Sequence, residues 1–257
     1  MSHEPEQRNA DSREELGAGA PRPGEILIEI DRRRVVRTLR FVIVGLLLVG
    51  LATQLYVELV DDPPFERLAD RFDVDEEITV PTWYSSSALL FCSLLLAVIA
   101  RGVGQQGGAH PRSWAGLAVI FLLASMDEAS GFHELPMRVL RRSYDLPSFL
   151  YFAWVIPGAM VLVVFFLAYL RFWLHLPPRT RRLFALAAAV YVIGAFGFEM
   201  LGAHITATEG QGNTPFQLVA TTEEALEMFG VLIFIGALLD HLAQLGGSVR
   251  IALDPRS

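Results

Sequence analysis

The chain reads as an all-α, polytopic membrane helix bundle of about six transmembrane helices with both termini cytoplasmic. Three observations predict this class. First, 53% of its 257 residues are hydrophobic and the mean hydropathy is +0.41, too apolar for an ordinary soluble domain. Second, several runs approach or exceed ~18 residues with few charges, the length that crosses a bilayer. Third, the arginines are unevenly shared between alternate connecting segments, as the positive-inside bias requires. A bundle of this size uses most of the chain, so residues 25–257 are expected to form a single membrane domain.

Residues 1–24 are polar, rich in Gly, Pro and mixed charge, and are expected to be a disordered cytoplasmic tail. They contain no apolar run of the signal-peptide kind. The stretch EILIEIDRRRVVRTLR, with Ile26, Leu27 and Ile30 beside a run of Arg, suits a segment lying on the membrane surface. Six spans follow, at about 41–60, 83–100, 114–134, 149–170, 183–204 and 216–244. Arg32, Arg33, Arg34, Arg37 and Arg40 precede the first. Arg101, Arg112, Arg171, Arg179, Arg181, Arg182, Arg250 and Arg256 fall in later segments on the same side.

Between the first two spans, Phe65, Leu68, Ala69 and Phe72 follow helical spacing in an acidic loop and predict a short surface helix. HELPMRVLRRSYDLP predicts another. Trp83, Tyr84, Tyr151 and Trp154 stand near span ends, where aromatic side chains anchor at the membrane interface. Before the last span, Thr214 suits an N-cap, Pro215 the first helical position and Gln217 the third. Gly246 and Gly247 suit its stop, giving a helix of ~30 residues that outruns the hydrocarbon layer.

The charge pattern excludes one partner class. The net charge is −7, every basic residue is Arg, and no basic face interleaved with aromatics suggests nucleic acid. The single Cys92 forms no intrachain disulfide, rules out a thiolate-rich metal site, and reads as a packed core thiol.

The main functional signal is the placement of acids. Span three ends in SMDEASGFHE, with Asp127, Glu128, His133 and Glu134. Span five carries Glu199 and His204 near its end, and span six carries Glu223, Glu224 and Glu227 near its start. In the expected topology all three groups, with Glu58, fall at one level in the outer leaflet. A carboxylate in the membrane costs several kcal/mol even on lenient insertion scales (roughly 2.5–3.5). Such groups persist when they face the interior and are paired, protonated or bound to a cation.

Glu128 to His133 and Glu199 to His204 share the spacing E-x-x-G-x-H. Glu and His five apart point away from each other in an unbroken helix. A helix end at Gly131 or Gly202 would let each His fold back toward its Glu. Gly194, Gly197 and Gly202 otherwise permit close helix packing. Asp240 and His241, at the far end of span six, read as an interfacial pair.

Carboxylate and imidazole donors without thiolate suit iron, zinc or manganese. The expected ligands to one or two such divalent metals are Asp127, Glu128, His133, Glu134, Glu199, His204, Glu224 and Glu227. A metal there would activate water or oxygen against a lipid-like, membrane-soluble substrate. The second reading is a cation- or proton-coupled transporter or channel. The third is a non-catalytic accessory subunit of a membrane complex. No G-x-S-x-G elbow, H-E-x-x-H motif or phosphate-binding glycine loop is present.

ASMDEASGFHE, GAFGFEMLG and TTEEALEMFGVLIFIGALL resemble segments of uncharacterised multi-pass bacterial membrane proteins. Those carry D-E-A-x-x-x-H-E, then E-M-x-G, then E-E-x-L-E-M-x-G. The resemblance covers about 100–257 loosely and is specific at these three stretches. It implies a location in the bacterial plasma (inner) membrane. It also implies that Asp127, Glu128, His133, Glu134, Glu199, Glu223, Glu224 and Glu227 form one constellation. His204 falls outside the pattern.

Overall fold

The computed structural model describes residues 25–28, 31–60, 64–73, 78–135, 140, 146–210, 213–246 and 249–252. The expected tail at 1–24 lies outside these residues, as does most of the second predicted surface helix. One compact unit, Arg32–Leu245, is helical. In the other, strand β1 (Glu25–Ile28) pairs antiparallel with β2 (Val249–Ala252), Glu25 opposite Ala252 and Ile28 opposite Val249. EILIEIDRRRVVRTLR is therefore not one surface segment: it divides into β1 and the start of a long helix.

That helix, α1, runs Arg32–Leu59 and takes in the whole Arg run. Cations in a first turn oppose the helix dipole. Arg32 meets this by pairing with Asp240 at 2.7 Å and donating to the Gly236 carbonyl at 3.3 Å. The predicted surface helix is present as α2 (Glu66–Ala69), which runs into a 3₁₀ turn Asp70–Phe72.

Helix α3 (Val80–Gln105) starts at Thr79, whose hydroxyl accepts from the Thr82 N–H. Helix α4 (Pro111–Ser130) packs along it. The pair is tied by small hydroxyls. Ser93 donates to the Ala118 carbonyl at 2.7 Å, while Ser86 and Ser125 each donate to the other's carbonyl at 2.8 Å. In a bilayer such interhelical bonds replace the hydrophobic drive that apolar lipid removes.

Helix α5 runs Val155–His175. Helix α6 (Pro178–Val192) continues through a π segment, Ile193–Phe198, into α7 (Glu199–Glu209), and Gly210, at φ 89°, ends it. Helix α8 spans Thr214–Gln244, about 46 Å at ~1.5 Å per residue. Its N-cap is Asn213, whose side-chain oxygen accepts from the Phe216 N–H at 2.8 Å. This moves the expected cap at Thr214 by one residue and leaves the Thr214 hydroxyl to donate to Glu58 at 2.9 Å.

Five of these helical stretches, α1, α3, α5, α6 through α7, and α8, are long and apolar enough to cross a membrane. The third expected span, α4, is 20 residues long and is not among them, because its last turns carry Asp127 and Glu128. Helix α8 is central: 61% of its most apolar stretch is buried, against 11% in α1 and in α5. Cys92 is a core residue, as expected, and is fully buried on α3.

Candidate functional site

Helix α4 ends at Ser130, short of the expected limit near 134 and at the Gly131 break that the sequence allows. Gly131 adopts φ 58°, its N–H bonds to the Asp127 carbonyl at 2.8 Å, and a 3₁₀ turn Phe132–Glu134 follows. Gly tolerates this left-handed geometry because it has no Cβ. The chain then folds His133 back, but onto Asp127 rather than Glu128. The His133 N–H donates to Asp127 Oδ1 at 2.9 Å, and the ring Nδ1 lies 3.1 Å from Oδ2. The helix stops at Ser130, so Asp127 and Glu134 do not share one helical face.

The duplicated Glu–Gly–His unit fails at its second copy. Gly202 is buried inside α7 beside Phe216 and Val219 of α8, and the helix continues past it. His204 is thus held away from Glu199 by helical geometry, and its Nδ1 lies 2.8 Å from the Ser148 hydroxyl. Glu58 also stays apart, bonded to Thr214 at the start of α8.

The acids that do meet are brought together by two glycines and the π segment. A Cβ at Gly230 would lie 2.9 Å from both the Cβ and the backbone nitrogen of Tyr191. One at Gly194 would lie 3.0 Å from the Glu223 carbonyl oxygen and 3.2 Å from Glu227 Cγ. Backbones approach this closely only where side chains are missing. Gly197, by contrast, is exposed and packs on nothing outside its own helix.

At this contact Tyr191 and Glu227 hydrogen-bond through their side chains, as do Glu223 and Glu199. Glu227 lies within electrostatic reach of Glu128 and Glu199, and Glu224 within reach of Glu223 and Tyr191. The Trp154 indole N–H donates to Glu199, and its ring packs edge-on against His133 at 5.2 Å. Sequence reasoning missed Tyr191, a lone polar ring in an Ala-rich run, and gave Trp154 a different place. Trp154 read as an interfacial anchor, as did Tyr84, which is buried in the core.

Carboxyls from α4, α7 and α8 therefore share one neighbourhood. Among the described residues, no group of three or more His, Cys, Asp or Glu is arranged to hold a metal ion. The centre's chemistry, on its visible contacts, is hydrogen bonding between carboxyls and a phenol. A hydrogen bond between two carboxyl groups requires a proton on one of them.

Glu227 sits about 20 Å along the α8 axis from Thr214 and about the same from Asp240, at ~1.5 Å per residue. This is the middle of the helix rather than its outer end. Asp240 is not a simple interfacial acid. It pairs with Arg32 of α1 and with Arg179 of α6 at 3.1 Å, while His241 is buried and stacked on Trp114 at 4.8 Å.

Beside the centre lies a cavity of about 510 Å³ bounded by α4, α5, α6 and α8, with Leu89 of α3 at its edge. Tyr191, which bonds Glu227, is also part of its wall.

No curated protein and no solved structure matches the chain. Residues 38–242 match a family described as a domain of unknown function, DUF8692. That match takes in every acid of the centre, the π segment and the Asp240–Arg179 ion pair, and the chain belongs to this family.

Proposed function

We propose that this chain is a membrane transporter that moves a proton or another cation through the carboxyl centre of α7 and α8. The observation that carries the reading is the approach of Glu199 and Glu223, acids on two different helices within hydrogen-bonding reach of each other, a contact that a shared proton or a bound cation would stabilise. Two further features support it. Glu227 stands near the middle of its helix, the depth at which carriers place their sites, and the neighbouring helix is interrupted there by the π segment. The Arg distribution supports an orientation with both termini cytoplasmic, with α4 counted as a sixth crossing of about 30 Å.

The test is flux in proteoliposomes loaded with a pH-sensitive dye. Wild type should dissipate an imposed pH gradient, and Glu223→Gln and Glu227→Gln should return the rate to that of empty vesicles. A wild-type rate equal to empty vesicles, or flux unchanged in both variants, overturns the reading.

A second reading is a divalent-metal centre in which Glu128 and Glu199, each within electrostatic reach of Glu227, would have to draw closer to it than they stand here. Iron, zinc or manganese would suit the donor types. Its test is elemental analysis of purified protein. A stoichiometric metal lost in Glu199→Ala and Glu227→Ala sustains it, and metal-free wild type removes it.

A further inference from the structure

We infer that another cavity, at the N-terminal end of α8, binds a guanidinium group. It lies apart from the carboxyl centre. Neither Glu223 nor Glu227 lines it, and its α8 residue, Gln217, stands about 15 Å along the helix axis from Glu227. The inference therefore goes beyond the transport reading and does not rest on it.

The cavity measures about 180 Å³, and three elements build it. The last turns of α1 supply Thr53, Gln54 and Glu58. The 3₁₀ turn after α2 and its cap supply Asp70 and Asp73, and the first turn of α8 supplies Gln217. The Asp73 N–H bonds to the Asp70 carbonyl at 3.3 Å, which closes the turn and keeps both residues in the wall. Glu58 is fixed by the Thr214 hydroxyl, which donates to it at 2.9 Å.

The wall is a set of acceptors whose neighbouring donors are already engaged. The Thr53 hydroxyl donates to the Gly50 carbonyl at 2.8 Å. Gln54 Nε2 donates to Asp73 Oδ1 at 3.2 Å. That bond orients the amide, because the reverse orientation would set its oxygen against a carboxylate. Gln54 Oε1 is then left buried, with no hydrogen-bond partner among the described residues, on a residue only 8% exposed. Native structures rarely keep such an oxygen without a donor.

No lining residue is basic. Arg71, next to Asp70 in the chain, donates instead to the Ile78 carbonyl at 3.2 Å. In the sequence, the stretch 61–77 is rich in Asp and Glu, with Arg67 and Arg71 as its basic residues. Net negative charge of this kind attracts cations.

Three acids and an amide oxygen lacking a donor require an occupant that is positive and gives hydrogen bonds. A bare metal ion meets the charge but not the geometry. Among the described residues, no three acidic or imidazole groups are arranged to hold one. Metal–oxygen contacts of roughly 2.0–2.6 Å would need them to converge on one point. An ammonium is a compact point charge, whereas a guanidinium is flat and carries donors on separate nitrogens. It therefore reaches acceptors that surround it without converging. The volume is below the roughly 300–1,000 Å³ of drug-sized sites, which limits the occupant to the guanidinium end of a molecule or a small guanidine.

The experiment is calorimetric titration of the full chain in lipid nanodiscs at fixed ionic strength, with methylguanidinium chloride as probe. Wild type should bind saturably. Asp73→Asn should bind about tenfold more weakly, and Gln54→Met and Asp70→Asn about threefold. Asp70 is exposed on a turn, so Asp70→Asn keeps the test readable if Gln54→Met does not fold. Asp240→Asn, at the other end of α8, should leave binding unchanged. Methylammonium and calcium chloride should each bind about tenfold more weakly than the probe.

Absence of saturable binding by wild type overturns the inference and leaves water as the occupant. So does methylammonium or calcium binding as tightly as methylguanidinium, and so does binding unchanged in both Asp70→Asn and Gln54→Met. A blocked tripeptide with a central arginine separates two sources of the group. Tighter binding than methylguanidinium assigns the site to a partner protein's arginine, weaker binding to a free guanidine, and either order sustains it. Proton flux measured without the probe tests the transport reading by itself, so the failure of one result leaves the other standing.

Discussion

Helix α8 carries acids in two regions, and their surroundings differ sharply. Near its C-terminus Asp240 has a side chain only 15% exposed, held between Arg32 at 2.7 Å and Arg179 at 3.1 Å. Near its middle Glu223 bonds another acid and Glu227 bonds a phenol. Asp240 is a clamp that fixes the starts of α1 and α6 to α8. Its Arg partners are 41% and 71% exposed, so solvent weakens both pairs, and together they contribute about 1 kcal/mol. Glu223 and Glu227 stabilise the fold poorly, since each buries a group that prefers water. The same residue chemistry on one helix therefore serves structure at one site and is available for ion chemistry at the other.

The largest expected effect separates the two regions by activity and stability together. Glu227→Gln and Glu223→Gln should abolish proton flux and leave the unfolding temperature in detergent equal to or above wild type. Asp240→Asn should keep most of the flux and lower the unfolding temperature. If Glu223→Gln proves the more destabilising, the comparison breaks, and the central acids are clamps as well.

Next is the helix contact that brings the centre together. Gly230→Ala would place a methyl group 2.9 Å from the Tyr191 backbone nitrogen and 3.1 Å from the Ala187 carbonyl, neither of which swings aside. The expected cost is about 1–3 kcal/mol, with reduced flux, because α6 must move off α8. Unfolding and flux measured on the same preparation check both. An unperturbed variant would mean that the close approach is not what holds Tyr191 against Glu227.

A smaller effect sharpens the clamp. Arg32→Ala should cost about 1 kcal/mol and Arg179→Ala a few tenths, since the second partner is longer and more exposed. A double-mutant cycle with Asp240→Asn assigns each share. The smallest effect is at the α4 terminus: Gly131→Ala should cost about 1 kcal/mol or less, read by thermal unfolding, because a side chain strains the left-handed turn.

The pattern of residues decides unevenly what is visible before folding. The end of α4 was legible in SMDEASGFHE, because Gly after an apolar run names its own backbone conformation. The partner of His133 was not, since a 3₁₀ turn sets which carboxylate the ring reaches. The same reasoning placed a break at Gly202, where α8 instead packs on the glycine and the helix continues. Glu223 and Glu227 were legible as costly acids in an apolar run. Their contacts with Glu199 and Tyr191 were hidden, because the π segment at Ile193–Phe198 shifts the register that a regular helical repeat assumes.

By itself, then, the sequence determined a helical membrane protein with acids on three of its helices, because hydrophobic run length and the cost of buried charge are properties of local composition. Only the tertiary structure decided which acids meet. It set His204 and Glu58 aside, made Asp240 a clamp, and brought Tyr191 to both the carboxyl centre and the cavity wall. Those outcomes depend on the close approach of two helices at Gly194 and Gly230 and on a register shift, and neither is written in the periodicity of any one segment.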